Sequence, residues 1–179
     1  FFEPFHSWRK LILKGELNIK QITCHYTGGL VHNGIHFLDL VFFLLGAPEK
    51  VNVFSGYNHE SPSFKLIYKQ IHLIIHFIGL EDLSNSVEEL DIFHQMGRFK
   101  IDNHGIKTYD IIDDPIYPGF SIYGNKEKVN DDSKNALLHA YQNISDKLNY
   151  DESLISPGED SVKTMEIIQH IKGDNSCLN

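Results

Sequence analysis

The most extended apolar pattern in the chain covers residues 28–46. It opens with two consecutive glycines, continues through about fifteen nearly unbroken apolar residues and stops at Gly46, which are start and stop signals of a helix. At 100° per residue, the apolar side chains cover most of the circumference. The pattern therefore predicts a helix over about residues 31–45 that is buried on most of its surface.

One narrow strip of this predicted helix is polar. His32, His36 and Asp39 follow one another at i, i+4 and i+7, within roughly 60° of each other. Two imidazoles and a carboxylate on the edge of a buried helix must be hydrogen-bonded or must face a cavity. The strip is a candidate site, although a histidine pair that braces a core helix would show the same spacing.

Shorter apolar or alternating runs predict strands on both sides of this helix. They lie at residues 19–26, 50–56, 64–68, 70–78, 87–94, 98–102 and 106–112. In the run 70–78, one face is wholly apolar, whereas the other is only half apolar and consists of His72, Ile74, His76 and Ile78. Such a second face indicates a sheet that helices cover on one side only.

Three further helices are predicted. A short one covers residues 7–14, and capping sequences at residues 131–133 and 156–159 begin the other two. The buried face of the helix after residue 133 is expected to consist of Leu137, Tyr141, Ile144 and Leu148. The inward face of the last helix, which stops at Gly173, is expected to consist of Val162, Met165, Ile168 and Ile171.

Residues 113–130 contain two prolines and two glycines, which indicates a long loop. Loops of this length in a compact domain are often functional. Tyr123, Lys126 and Lys128 lie in it and could contact a phosphate or carboxylate of a substrate. A solvated loop is the alternative interpretation.

These elements predict an α+β domain with an open, mostly antiparallel sheet of roughly six strands and helices on one face. The 179 residues suit a single domain with a real core, and 41% hydrophobic residues is an ordinary composition for a soluble protein. A formal charge of -8 argues against nucleic acid as a partner. No apolar run reaches the roughly 18 residues of a membrane span, so no membrane association is expected.

Cofactor and metal motifs are sparse. The sequence contains no Gly-x-Gly-x-x-Gly, so no residue is assigned to dinucleotide binding. His32 and His36 have the spacing of zinc ligands on a helix, but no third ligand follows and we expect no metal. Cys24 and Cys177 fit no disulfide framework, which favours a reducing cytoplasm.

The segment Gly-Gly-Leu-Val-His-Asn-Gly-Ile-His-Phe-Leu-Asp-Leu at residues 28–40 resembles the signature of the Gfo/Idh/MocA oxidoreductases. The resemblance extends to Arg-Lys-Leu-Ile-Leu-Lys-Gly-Glu-Leu-Asn at residues 9–18, where Asn18 replaces the family's glycine. It also includes Ser-Pro-Gly-Glu-Asp-Ser at residues 156–161. It therefore covers almost the whole chain.

This resemblance implies the C-terminal, substrate-binding domain of an NAD(P)-dependent dehydrogenase of sugars, sugar nucleotides or polyols. The implied fold is similar to the C-terminal domain of glyceraldehyde-3-phosphate dehydrogenase. Residues 1–179 would form one substrate-binding and oligomerisation domain, with the N-terminal Rossmann domain absent. NAD or NADP would be bound mainly by that missing domain, so this chain alone is expected to be inactive and to hold no cofactor. A homo-oligomer through the sheet face is also implied.

By the same resemblance, His36 matches the catalytic histidine, and His32 replaces an aspartate that many members carry. We expect His32, Asn33, Tyr123 and Lys126 to contact a sugar-like substrate. The rival hypothesis is a non-catalytic binding or assembly module that reuses the fold. The reading frame upstream of Phe1 distinguishes the two, because an enzyme requires a Gly-x-Gly-x-x-Gly motif and a Glu-Lys-Pro motif there.

Overall fold

The computed structural model describes residues 4–55, 60–80, 85–128, 135–155 and 157–173. Within them an eight-stranded sheet is accompanied by four α-helices and one π-helical turn. In chain order the elements are α1 (Phe5–Leu13), β1 (Ile19–Tyr26), the π-helical turn (Leu30–Gly34), α2 (Ile35–Leu45), β2 (Lys50–Ser55), β3 (Ser63–Tyr68), β4 (Leu73–Gly79), β5 (Glu88–His94), β6 (Gly97–Asp102), β7 (Gly105–Asp113), β8 (Ser121–Lys128), α3 (Ala136–Tyr150) and α4 (Gly158–Ile171). No helix in these ranges has the length and apolar character that a membrane span needs.

The sheet has the strand order β2-β3-β4-β1-β5-β6-β7-β8. Strand β1 pairs in parallel with β4, and every other neighbouring pair is antiparallel. The predicted α+β class with an open, mostly antiparallel sheet is therefore confirmed, with eight strands where roughly six were expected. A parallel neighbour requires a long crossover, and the segment between β1 and β4 supplies one that contains α2.

The core lies between the helices and one face of the sheet. Alternate residues of the central strands, such as Ile22, Ile75 and Leu90, are fully buried on this face. Helix α1 reaches the same face through Trp8, whose ring stacks on Phe99 of β6 at 3.9 Å between centroids. Helix α2 contacts both α1 and α4. The helices thus cover one face, as predicted, and leave the opposite face open.

Two local predictions about strands are wrong. Residues 121–128, expected within a long loop, form strand β8, which pairs with β7. Its sequence is largely polar and gives no alternating signal, since an edge strand with little burial depends on backbone hydrogen bonds. Strand β4 begins at Leu73, and His72 lies in the preceding turn with φ 53°. His72 is therefore not part of the sheet face.

The predicted buried face of α3 is also wrong. Its four apolar residues are exposed by 49–79%: Leu137 70%, Tyr141 65%, Ile144 49% and Leu148 79%. Among the described residues of α3, none is buried. In α4, Ile168 and Ile171 are buried as expected, whereas Val162 and Met165 are exposed. The predicted capping residues 131–133 and Ser156 lie outside the described residues.

His94, at the end of β5, is a buried imidazole in this core. Its ring lies 4.4 Å from the ring of Phe99, and its Nδ1 accepts a hydrogen bond of 3.3 Å from the backbone N–H of Met96. Its Nε2 has no partner among the described residues. Burial lowers the pKa of His94, and the charge of Asp110 opposes this shift only in part.

We expect this buried histidine to destabilise the domain in acid. When the folded pKa lies below the unfolded one, the unfolded state binds more protons as the pH falls. The contribution of His94 to the free energy of unfolding is therefore complete above the ordinary histidine pKa of about 6.5. It is lost as the pH falls from there through the lower pKa of the folded state. Urea unfolding at a series of pH values should show the free energy of unfolding decreasing below about pH 6.5. His94→Asn, which keeps an acceptor for Met96, should reduce this slope, whereas the exposed His104→Asn should not. Equal slopes in all three proteins would contradict the assignment.

Candidate active site

The helix that carries the two histidines begins with a π-helical turn. Gly28 and Gly29 precede it with φ values of 73° and 94°, a backbone region that favours glycine. The N–H of Gly34 donates to the carbonyl of Gly29 at 3.2 Å, which is the i to i+5 bond of a π-helix. Regular α-helix starts only at Ile35. The α-helix predicted from residue 31 is therefore correct from its second turn onward, and single π turns often occur at functional sites.

Two residues just before β3 hold the beginning of this helix. The N–H of Gly29 donates to the Ser61 hydroxyl oxygen at 3.0 Å, and the N–H of Leu30 donates to the Glu60 carbonyl at 2.7 Å. The first N–H groups of a helix have no partner within the helix itself. Glu60 and Ser61 thus fix the backbone just before His32. The sequence offered no signal for them, because the contact joins segments about thirty residues apart.

Asn33, predicted to contact substrate, has a structural role in this arrangement. Its side-chain Nδ2 donates to the carbonyl of Thr27 at 2.9 Å, and the side chain is only partly exposed. The bond closes the loop that contains Gly28 and Gly29. We therefore assign Asn33 to positioning of the helix start.

Gly34 brings the helix close to β1. A Cβ atom at this position would lie 2.9 Å from Cε2 of Tyr26 and 3.0 Å from Cδ1 of Leu30. Tyr26 is fully buried, and its hydroxyl donates to the carbonyl of Pro62. Only glycine allows this approach, so the position of the helix relative to the sheet depends on Gly34.

His32 and His36 are both exposed, together with Val31, whereas Leu30, Phe37 and Leu38 on the other sides of the helix are buried. We call Val31, His32 and His36 the histidine edge. Its imidazoles can donate or accept hydrogen bonds and can exchange protons with a bound molecule. The edge belongs to a helix that is otherwise packed into the core, which is the rigid support that a catalytic group requires.

Asp39, the third residue of the polar strip, differs from the two histidines. It is partly buried and lines a cavity of about 230 Å³ with Arg9, Phe43, Ile155 and Thr164. This cavity lies among α1, α2, α4 and the segment before α4. From the sequence we expected each polar group of the strip to be hydrogen-bonded or to face a cavity. The Asp39 carboxylate meets this expectation, because it faces a cavity.

The backbones of Tyr123 and Lys126 lie on a strand far from β1, the strand that leads into the histidine edge. They lie on β8, the edge strand four positions from β1, which is about 19 Å at a strand spacing of about 4.8 Å. The Tyr123 ring lies 6.3 Å from that of Phe93, on the sheet face away from the helices. The backbone of Lys126 pairs with that of Thr108. The structure describes this residue through its backbone only.

Within the described ranges, no three His, Cys, Asp or Glu side chains lie close enough together to hold a metal ion. Cys24 is a buried free thiol whose pKa is raised by burial, which disfavours the reactive thiolate. Within the π-helical turn and α2, the exposed side chains that can exchange protons are the two imidazoles.

Comparison with known proteins relates this chain to a family of oxidoreductases. A family model described as "Oxidoreductase family, C-terminal alpha/beta domain" matches residues 20–174. No curated protein matches the chain. The chain is similar to a UDP-N-acetylglucosamine 3-dehydrogenase from Acidithiobacillus ferrooxidans, with a TM-score of 0.68 and 12% identity over 92% of this chain and 57% of that one.

Two further solved structures show the same fold. An oxidoreductase from Bacillus cereus has a TM-score of 0.64 and 14% identity over 96% of this chain and 62% of its own. A protein assigned as an NADPH-dependent oxidoreductase from Desulfitobacterium hafniense has a TM-score of 0.69 and 11% identity, over 94% of this chain and 58% of its own. The chain thus spans less than two thirds of the length of each of these proteins.

Gly34→Ala should destabilise the domain by about 1–3 kcal/mol, the usual range for an added methyl group in a packed core. The physical reason is the 2.9 Å approach of the new Cβ to Tyr26. Gly158→Ala is the matched control, because no atom lies within 4 Å of its Cβ position, and it should be neutral or stabilising by about 0.5–1 kcal/mol. Urea unfolding measures both. Equal stabilities for the two variants would show that the approach of α2 to β1 is not tight.

Proposed function

Because this chain belongs to the Gfo/Idh/MocA oxidoreductase family, as its C-terminal α/β domain, we propose that it is the substrate-binding half of an NAD(P)-dependent dehydrogenase. The proposed substrate is a hydroxyl group of a sugar, sugar nucleotide or polyol. The observation that carries the proposal is the histidine edge, with two exposed imidazoles on a helix otherwise packed into the core. A similar structure is a UDP-N-acetylglucosamine 3-dehydrogenase, which supports the substrate class.

In the proposed reaction, His36 removes the proton of the substrate hydroxyl while the carbon that bears it loses a hydride and becomes a carbonyl. Imidazole suits this task because it gains and loses protons near neutral pH. His32, one turn earlier, donates or accepts hydrogen bonds that orient the substrate. Both act from a backbone that Glu60, Ser61 and Asn33 hold in place, so the imidazoles need little reorganisation when substrate binds.

The nicotinamide cofactor, when bound, supplies the hydride acceptor. The fit of this chain to such a cofactor is partial. The sequence has no glycine-rich phosphate loop, so the dinucleotide phosphates require a separate domain, whereas the exposed His36 offers an edge that a nicotinamide ring could approach. We therefore propose that NAD or NADP is held mainly by a preceding domain of the same polypeptide, and that residues 1–179 alone do not oxidise sugars.

We also propose that two copies associate through the open face of the sheet. Ile74, Ile111 and Tyr123 are exposed there by 45–47%, and the ion pairs Arg98–Asp91 and Lys100–Glu89 lie beside them on the same face. Eight strands at about 4.8 Å spacing, each about 20 Å long, present on the order of 700 Å². This approaches the roughly 800 Å² per partner of a stable interface. A second copy of this sheet is the occupant that matches its size and its paired charges.

His36→Ala in the complete polypeptide should reduce kcat by about 100-fold or more, which is the usual effect of losing a general acid or base. His32→Ala should raise KM more than it lowers kcat, because a residue that orients substrate contributes mainly to binding. Steady-state kinetics with each candidate sugar substrate and thermal melts measure the two effects, and the exposed His104→Ala is the control. If either variant melts many degrees lower while its folded fraction keeps normal turnover, the histidines are structural and the proposal fails.

Ile111→Glu should convert the dimer into a monomer, as measured by light scattering at tens of micromolar protein. The adjacent Ile112→Glu is a matched control, since Ile112 has the same 45% exposure but its side chain packs beside Gly124 on the opposite face. A buried glutamate across a dimer interface is costly without a partner, so only the first variant should dissociate. A wild-type protein that is monomeric at this concentration, or dissociation by both variants alike, argues against the open face as the interface.

A further inference from the structure

The cavity of about 230 Å³ beside Asp39 takes no part in the proposed reaction. It follows the second half of α2, from Asp39 to Ala47, and is bounded by Arg9 of α1, by Ile155 and by the first two turns of α4. The histidine edge ends at His36, before the part of α2 that lines the cavity. The cavity is therefore a separate place on the same helix, and its ligand does not have to be that of the histidine edge.

Two opposite charges line this cavity without pairing. Asp39 is partly buried, and no hydrogen bond or ion pair from the described residues reaches its carboxylate. The Arg9 guanidinium lies over the Phe43 ring, 4.7 Å from the ring centroid, and has no carboxylate partner among the same residues. Charges that leave water are normally paired, because their lost hydration is otherwise uncompensated. Asp39 and Arg9 thus leave one anionic and one cationic position open toward the same space.

The other two charged side chains that line the cavity do not fill these positions. Lys163 and Asp160 of α4 pair with each other at 3.3 Å, and both side chains are 59% exposed. The buried Thr164 donates its hydroxyl to the Asp160 carbonyl at 3.3 Å. Two cations and two anions therefore line the cavity, and its net charge is zero. An ion of either sign alone would leave one of the two unpaired charges without a partner.

The size and the apolar part of the lining limit the ligand further. A volume of about 230 Å³ is below the roughly 300–1,000 Å³ of pockets that hold drug-sized ligands, which argues against a nucleotide. The apolar lining consists of Phe42, Phe43, Ala47 and Ile155. The ligand that matches this cavity is therefore small, carries one positive and one negative charge, and has an apolar part.

We propose that this cavity is a second binding site, for a free amino acid with a small apolar side chain. The carboxylate of the ligand accepts hydrogen bonds from the Arg9 guanidinium, whose planar donors match a carboxylate. The ammonium group donates to Asp39, and the apolar side chain packs against Phe42 and Ile155. The site goes beyond the proposed dehydrogenase and does not depend on it, because none of these residues belongs to the histidine edge.

L-Valine and its two halves test the proposal on the complete polypeptide. 3-Methylbutanoate is L-valine without the ammonium group, and 2-methylpropylamine is L-valine without the carboxylate. Saturation-transfer NMR titrations measure the dissociation constant of each compound. L-Valine should bind at least about 10-fold more tightly than either half, because each half leaves one charge of the cavity unpaired. This comparison uses the unsubstituted protein, so it does not depend on the folding of a variant.

Substitutions assign the binding to this cavity. Asp39→Asn should weaken L-valine binding by at least about 10-fold and abolish the preference for L-valine over 3-methylbutanoate. Arg9→Gln should weaken it as much and abolish the preference over 2-methylpropylamine. Lys10→Gln is the matched control and should bind L-valine like the wild type, because Lys10 is the exposed neighbour of Arg9 and does not line the cavity. Thermal melts measure the folding of every variant.

Three outcomes would overturn the amino acid site. The first is no saturation transfer to L-valine at tens of millimolar. The second is equal affinity for L-valine and 3-methylbutanoate, which would leave an anion site only. The third is unchanged L-valine binding in both Asp39→Asn and Arg9→Gln, which would place the ligand elsewhere in the polypeptide. Sugar oxidation by the same protein is a separate readout, and its presence or absence tests the histidine edge alone.

Discussion

The close contact between Gly34 and the ring of Tyr26 determines how α2 lies on the sheet. Tyr26 is buried in β1, and a Cβ on residue 34 would come within 2.9 Å of its ring. The Tyr26 hydroxyl in turn donates to the carbonyl of Pro62. Residues 60 and 61, next to that proline, accept the first N–H groups of the helix. One connected set of contacts thus joins β1, the segment just before β3 and the π-helical turn.

The proposed role of His36 places two requirements on the helix that carries it. The helix has to be immobile, which favours apolar burial on most sides, and it has to expose polar groups to a ligand. Leu38, Val41 and Leu44 are buried and meet the first requirement. His32 and His36 are exposed at the one edge that the core leaves open and meet the second. Burial of the imidazoles would have required hydrogen-bond partners that occupy them.

The molecule also has surfaces of different character on its two sides. The open sheet face combines moderately exposed apolar side chains with ion pairs such as Arg98–Asp91 and Lys100–Glu89. The side with the helices has the histidine edge, the cavity beside Asp39 and the apolar face of α3. The chain spans about three fifths of the length of these structural relatives, and apolar residues on both sides are exposed in the described part of the chain.

The sequence alone determined the family and those helices and strands whose apolar residues recur with a clear period. The helix after Gly29, its stop at Gly46, the central strands and the polar strip with His32 and His36 all follow from local patterns, whereas the exposure of the two imidazoles is seen only in the structure. Edge strand β8 did not, because its stability comes from backbone bonds to β7 and needs no apolar pattern. The π-helical turn, the Glu60 and Ser61 anchors and the separation of Tyr123 from His36 required the tertiary structure, since each depends on which distant segments meet. The apolar period of α3 correctly indicated a helix with a face to bury, but a period identifies the face that avoids water and carries no information about the surface that covers it.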